Sequence, residues 1–316
     1  KTRIVKVKGR GIAAAGAHLR YIQRDGVTRE GEPGTLYSRD MDRVDGKAFL
    51  ERCGEDRHQF RFIVAAEDGE RYDDLKSLTR RLMLRMEEDL GTKLEWVAVD
   101  HYNTGHPHSH IVLRGGDERG KDLVIARDYL SRGMRERAAE IVFFDFGPRT
   151  DLEIEQRLER EVEQERFTGL DRRLLQGADD AGTVHPHAIS SNGFQQTLHM
   201  GRLQKLKRLG LAQETAPGSW RLAADLEPRL RELGLRGDII KTMHRELAEQ
   251  GIDRASSDYV IYDPLNDDSR RIVGKVMAKG LSDEITDRRY LIIDGTDGYS
   301  HYVDIGVGAD DDHDPI

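Results

Sequence analysis

Between Asp73 and Leu90 the apolar residues Leu75, Leu78, Leu82 and Met86 recur at intervals of three and four, which predicts an amphipathic helix that Gly91 ends. A second helical stretch runs from Ala13 to Gln23 with Gly26 after it, and a third from Asp128 to Phe144. Between these lie runs of β-branched and aromatic residues: Ile4–Lys8, Phe60–Ala66 closed by Asp68-Gly69, and Leu94–His101. Asn103-Thr104-Gly105 reads as a turn, with His106–Leu113 returning as the second strand of a hairpin. Strands and helices mixed this way predict an α+β fold with an antiparallel sheet and helices on its faces over residues 1–150.

Beyond that point the pattern changes. Residues 151–176 interleave glutamates with arginines, and 151–182 is expected to be a solvated connector helix. Gly193–His199 and Met200–Leu209 suggest two short helices, followed by strands Leu211–Thr215 and Ser219–Leu222 around Ala216-Pro217-Gly218. Two helices and a small hairpin make a winged helix-turn-helix pattern, assigned with its trailing helices to 183–255. Residues 256–308 hold short strands broken by Asp-Pro, Lys-Gly and Asp-Gly turns, which suggests a small β-barrel-like domain, and 309–316 form an acidic tail.

The chain has 316 residues with 50 Lys and Arg against 58 Asp and Glu, a net charge of −8. That balance argues against binding nucleic acid over the whole surface, but not through a local patch. Residues 1–150 carry 28 Lys and Arg against 26 Asp and Glu, so the acidic surplus lies elsewhere. No stretch approaches the roughly 18 apolar residues of a membrane span, and no apolar signal core follows Lys1-Thr2-Arg3. The single cysteine, Cys53, excludes an intrachain disulfide framework. The expectation is a cytoplasmic protein without membrane insertion. Because the sequence starts without Met, a longer natural chain is also expected.

Four of the 12 histidines fall between His101 and His110. On a strand, His108 and His110 point to one face. With the turn at 103–105, residues whose numbers sum to about 208 or 209 lie opposite one another, which places His101 beside His108. Three imidazoles converging from two paired strands, with further positions open, describe a catalytic metal centre. His106 sits at the turn mouth before Pro107 and is a weaker ligand candidate. A metallo-β-lactamase pattern would need Asp where Ile111 stands, and a cupin would need Glu near Arg114 and Gly115.

The run His101-Tyr102-Asn103-Thr104-Gly105-His106-Pro107-His108-Ser109-His110-Ile111-Val112 resembles the third motif of conjugative relaxases. These are the mobilization nucleases of the HUH endonuclease superfamily, and the likeness is to the branch that includes the T-DNA border endonuclease. That family reads His-x-Asp-x-x-His-Pro-His-x-His-Val-Val. The departure is Asn103 for Asp. The resemblance implies His101, His108 and His110 as metal ligands, with Asp100, Asn103 and His106 as residues supporting the ligands from behind. Three imidazoles suit Mn²⁺, Co²⁺, Ni²⁺ or Zn²⁺, whereas phosphate chemistry commonly recruits Mg²⁺. Mg²⁺ or Mn²⁺ is the expectation.

Relaxases attack the scissile phosphodiester with a tyrosine from a Tyr-Leu-x-Arg-Lys-Gly-like segment. Here Tyr21-Ile22-Gln23-Arg24-Asp25-Gly26 resembles it, so Tyr21 is the implied nucleophile. His18, one helical turn away, and Tyr37 are the alternatives, His18 because a related branch uses histidine. The implied activity is site- and strand-specific nicking and rejoining of DNA at a plasmid or integrative-element transfer origin, through a 5′-phosphotyrosyl intermediate. The implied partners are single-stranded and duplex origin DNA, a type IV secretion coupling protein and accessory relaxosome proteins. Arg20 and Arg24 beside the nucleophile, and Arg114 and Lys121 after the metal strand, are candidate DNA contacts. So are Arg202, Lys205 and Arg208, which with His199 form one polar stripe at three-residue spacing in the winged pattern. The motifs cover residues 1–150, and the rest resembles the long C-terminal extension of some relaxases. The competing reading is a winged-helix regulator with a metal-sensing histidine hairpin.

Overall fold

The computed structural model describes all residues except 10, 25, 103–105, 264–270, 284, 285, 287 and 308–316. Asn103 and the acidic tail from 309 therefore lie outside the described residues. The chain divides into two compact units, one built on Lys1–Pro148 and the other on Arg149–Leu281 and Arg289–Ile305.

The first unit is organised by four strands: β1 (Thr2–Lys6), β2 (His58–Val64), β3 (Trp96–His101) and β4 (His108–Arg114). They form one antiparallel sheet in the order β1-β2-β4-β3. The side chains of β3 and β4 alternate between two covered faces, so both strands are buried along nearly their whole length. One face presents Phe60, Phe62, Trp96, Ala98, Ile111 and Leu113 to α3 (Lys76–Leu90) and α4 (Met134–Phe146). The other presents Val97, Val99 and Val112 to α1 (Gly11–Ile22) and α2 (Gly46–Cys53).

The local chemistry explains most element ends. Helix α3 begins three residues later than expected because Asp74 accepts a hydrogen bond from the Lys76 amide, leaving 73–75 as the entry turn. It ends where Gly91 takes a left-handed φ of 63° and its N–H caps Glu87 O. Helix α2 was not anticipated; it buries only Phe49 and Cys53, too few positions for a readable period. Asp45 caps it by accepting from the Lys47 amide.

In the second unit the expected connector is two helices, α5 (Asp151–Glu163) and α6 (Gly169–Gln176), each opened by a capping box, Thr150 with Glu153 and Thr168 with Asp171. α6 is not a solvated linker: Leu170, Asp171 and Leu174 are buried. After it come β5 (Thr183–Val184), α7 (Pro186–Ile189), α8 (Gly193–Arg208), β6 (Ala212–Ala216) and β7 (Ser219–Leu222), with the strands ordered β5-β7-β6. The two helices expected at 193–209 are one continuous α8. Gly201 does not break it, since its bare Cα lies against Val162, 3.1 Å from where a Cβ would stand. Trp220, Leu203, Leu206, Leu174 and Leu226 form this core.

Helix α9 (Leu226–Glu249) starts in that core and buries Met243 and Leu247 in another, against β8 (Tyr259–Ile261), β9 (Gly274–Asp283), β10 (Arg288–Gly295) and β11 (Ser300–Val307). The strand order is β8-β11-β10-β9, with β8 and β11 parallel. Among the described residues this is one open sheet packed on a helix end, not the barrel-like domain expected. The fold class is α+β. No helix among the described residues is long and apolar enough to cross a membrane.

Candidate metal centre

The β3–β4 register pairs His101 with His108 and Val99 with His110. Directly paired residues share a face, and so do residues two apart, so all three imidazoles project to the side covered by α1. They are 0%, 6% and 2% exposed respectively. Ring centroids lie 4.3 Å (101–110), 5.0 Å (108–110) and 5.3 Å (101–108) apart. One ring nitrogen from each falls within 4.8 Å of the others.

Hydrogen bonding orients the lone pairs. His101 Nε2 lies 2.7 Å from the carbonyl oxygen of Ile22, the last residue of α1. A carbonyl only accepts, so Nε2 carries the proton and Nδ1 the lone pair. His108 Nδ1 lies 3.0 Å from His106 O, which leaves the lone pair on Nε2. That atom is 3.2 Å from His110 Nε2. Two nitrogens each about 2.0–2.1 Å from one ion stand roughly 3.0–3.4 Å apart. The spacing, the neutral nitrogen donors and the outward carbonyl acceptors fit a divalent cation held by the three imidazoles.

The outer acceptors are thus backbone carbonyls. His106 contributes its carbonyl while its side chain is exposed. Asp100 does not serve the ligands. It precedes His101, so its side chain points to the opposite sheet face, where Oδ1 accepts from Tyr37 Oη and Ser109 Oγ, both at 2.6 Å. Thr79 Oγ1 extends this buried network by donating to Ser109 Oγ at 2.9 Å. Burial pushes the Asp100 carboxyl up to about 6, against the opposing pull of the two hydroxyl donors. Tyr37 is corrected on the same ground. It is fully buried on the far face against Trp96, and burial beside Asp100 raises its phenol well above the usual value.

Helix α1 brings His18 and Tyr21 to the metal face. His18 is buried with its ring edge-on to His110, centroids 6.5 Å apart. Tyr21 follows one turn later, half-buried against the α1-side core. The Arg24 guanidinium lies 4.1 Å above its ring, and Arg24 Nη1 donates to Tyr21 O at 3.4 Å. Arg20 is exposed.

Several expected DNA contacts are committed elsewhere. Arg114 grips both Asp56 oxygens, at 2.8 and 2.9 Å, and reaches Glu95 at 2.7 Å, an internal brace rather than a phosphate contact. Arg202 is fully buried. It pairs with both oxygens of Asp171 and donates to the carbonyls of Glu161, Val162, Gln164 and Arg166, so it ties the end of α5 to α8. Lys205 is mostly buried against Glu165, and Arg208 binds Glu163. His199, Arg202 and Lys205 face the helices that cover that side of α8, while Arg208, at the end of α8, stays exposed in a surface pair with Glu163. The exposed face of α8 carries Thr197, Gln204, Lys207 and Arg208. Lys121 is exposed.

Sequence reading missed the Ile22 carbonyl that orients His101. A backbone acceptor leaves no mark in a sequence.

Residues 199–315 match the model of a family described as a protein of unknown function (DUF3363). No curated protein and no solved structure matches the chain. The similarity begins partway along α8 and covers none of the residues of the histidine cage.

Proposed function

We propose that the protein is a metal-dependent DNA strand transferase that nicks and rejoins one strand at a plasmid or integrative-element transfer origin. The observation that carries this reading is the packing of the His101/His108/His110 cage against the end of the helix that bears Tyr21, with His101 hydrogen-bonded to Ile22, the next residue. The cage and the end of the helix that bears Tyr21, about 80 positions apart in sequence, meet through His101 and Ile22.

In the proposed reaction Tyr21 Oη attacks the scissile phosphorus. The new bond is the phosphotyrosyl ester to the 5′ side; the P–O3′ bond breaks, the phenol gives up its proton to water, and the leaving oxygen takes a proton from water to become a free 3′-OH. Ester energy is retained, so attack by a 3′-OH reverses the step without ATP. Arg24, its guanidinium 4.1 Å over the Tyr21 ring, stabilises negative charge on the phenol. His101, His108 and His110 would hold the divalent cation, Mg²⁺ or Mn²⁺, whose charge would offset that growing on the phosphate oxygens. His18, edge-on to His110, is the second candidate nucleophile.

The order α6–β5–α7–α8–β6–β7 supports reading the second unit as a winged helix that binds duplex beside the nick. The exposed Thr197, Gln204 and Lys207 of α8 and Arg221 of β7 are its proposed DNA face. A coupling protein of a type IV secretion system and accessory origin-binding proteins are the proposed partners, and the cytoplasm the proposed compartment.

One observation favours the alternative, a regulator with a metal-sensing hairpin: the cage is enclosed, as structural sites are. Incubating supercoiled origin plasmid with the protein and Mn²⁺ separates the two. Relaxed circles with protein on the 5′ end support the transferase; a shifted band with no nick supports the regulator. Tyr21→Phe should abolish the covalent adduct. An adduct that persists in that variant overturns the assignment of Tyr21.

A further inference from the structure

Tyr37, Asp100, Ser109 and Thr79 form a buried polar chain that the proposed reaction leaves without a role. All four are at most 9% exposed. Tyr37 Oη and Ser109 Oγ both donate to Asp100 Oδ1 at 2.6 Å, and Thr79 Oγ1 donates to Ser109 Oγ at 2.9 Å. The chain joins the segment before α2 to β3, β4 and α3. Tyr37 is itself clipped to β3: its N–H donates to Ala98 O at 2.9 Å, and its carbonyl accepts from Ala98 N at 2.8 Å. The other β3 and β4 residues of that face, Trp96, Ala98, Ile111 and Leu113, are apolar. Polar groups in such a core cost stability unless every partner is in place, and apolar residues of similar shape commonly serve as well or better.

The register shows what the chain does instead. Asp100 is paired with Ser109, on the rung next to His101 with His108. The other rungs on the far face pair Trp96 with Leu113 and Ala98 with Ile111. A slip of β3 along β4 by one residue would turn both faces inside out, and burial forbids it. A slip by two keeps every side chain on its own face. The apolar rungs are nearly indifferent to it, since Ala98 then meets Leu113 in place of Ile111. The cage is not indifferent: His101 would stand opposite His110, and His108 would lie beyond the end of β3. Among these rungs the polar one opposes that slip, because Asp100 would meet Ile111 and its bond to Ser109 would be broken inside the core. A buried polar pair in an apolar seam is a known means of fixing register.

We propose that the Tyr37–Asp100–Ser109–Thr79 chain is a register pin, which holds β3 and β4 in the one alignment that brings His101, His108 and His110 together. Asp100 and Ser109 are thus positioning residues that act through the histidines from the opposite face of the sheet. The proposal rests on the reading of the three imidazoles as a cation cage.

Calorimetric titration of the full chain with Mn²⁺, beside urea unfolding in EDTA, tests it. The variant Tyr37→Phe/Thr79→Val/Asp100→Leu/Ser109→Ala replaces each polar member by an apolar residue, and its urea midpoint should equal or exceed that of wild type. A merely structural role would leave Mn²⁺ affinity unchanged in so stable a protein. The pin predicts affinity about tenfold weaker, as when the competent alignment is only about a tenth populated. It also predicts a second set of β3 amide resonances in the metal-free NMR spectrum. Asp100→Asn keeps one oxygen for both hydroxyls, as Oδ1 does, and should bind within about twofold of wild type. A folded all-apolar variant with wild-type affinity overturns the pin. So does an Asp100→Asn protein as weak as the all-apolar variant, since charge rather than alignment would then serve the cage. If the all-apolar variant does not fold, Ser109→Ala decides, because it removes the hydroxyl that Asp100 meets on β4: affinity about tenfold weaker supports the pin, and wild-type affinity refutes it. Wild-type protein that binds no Mn²⁺ overturns the cage and the pin together. Wild-type binding that the all-apolar variant retains overturns only the pin.

Discussion

Asp100→Asn tests the placement of Asp100 on the far face of the sheet in two independent ways. The carboxyl titrates near 6 in the folded chain because burial penalises its charge, against a usual 3.8. A gap of about 2 units corresponds to about 3 kcal/mol. The folded-state value is raised, so the contribution is fully present below pH 4 and is lost as pH rises through 6. Above that, the folded protein carries a buried carboxylate whose charge is only partly met by Tyr37 and Ser109. Asn keeps an oxygen for both hydroxyls and never ionises. The stability of the variant minus that of wild type should therefore climb by up to about 3 kcal/mol between pH 4 and pH 7, since the hydrogen bonds from Tyr37 and Ser109 are already part of the raised value. Taking the difference removes carboxylates with the opposite trend, such as Asp145, which Arg81 holds low. Urea unfolding at half-unit pH steps measures it, and parallel profiles for the two proteins would refute the reasoning. The same variant should bind Mn²⁺ within about twofold of wild type. Losing an outer acceptor of a ligand histidine typically costs roughly 10–100-fold, so a loss of that size would put Asp100 back behind the cage.

Divalent metal at a hundred times its dissociation constant should stabilise the protein by about 2.7 kcal/mol; His110→Ala should remove the effect in a thermal melt, and an equal shift in that variant would place the ion elsewhere. Because His101 is bonded to Ile22 O, metal should slow amide exchange in residues 22–27 as well as in β3 and β4; protection confined to the two strands would show that α1 is uncoupled from the cage. Arg202→Met leaves Asp171 buried and unpaired and should cost about 3–5 kcal/mol in urea unfolding; a loss under 1 kcal/mol would mean that the pair is not enclosed. Lys207→Ala should weaken duplex binding and lower its salt slope by about 0.9 without changing stability, and an unchanged slope would remove α8's outer face from the DNA interface.

The cage itself was readable from local rules. Two-residue periodicity puts His108 and His110 on one side of a strand, and the turn expected between the strands sets His101 opposite His108, the pairing found; neither expectation needs knowledge of the rest of the chain. The same parity places Asp100 on the other face, a deduction open from the strand pattern alone. Helix α3 was legible because its apolar side is continuous, as was the core position of Trp220. What the sequence could not decide was which polar residues face protein and which face solvent. Arg202 and Lys207 lie in one helix and carry the same charge, yet one is sealed behind α5 and α6 and the other is exposed. Arg114 looks like a surface cation until Asp56, 58 positions earlier, is brought against it. Tyr37 became core, and the end of α1 met His101, through packing between segments more than 60 positions apart. Periodicity is a property of neighbours along the chain, so it can be read one stretch at a time. Burial and pairing of a charge depend on which distant surface covers it, and only the assembled fold supplies that surface.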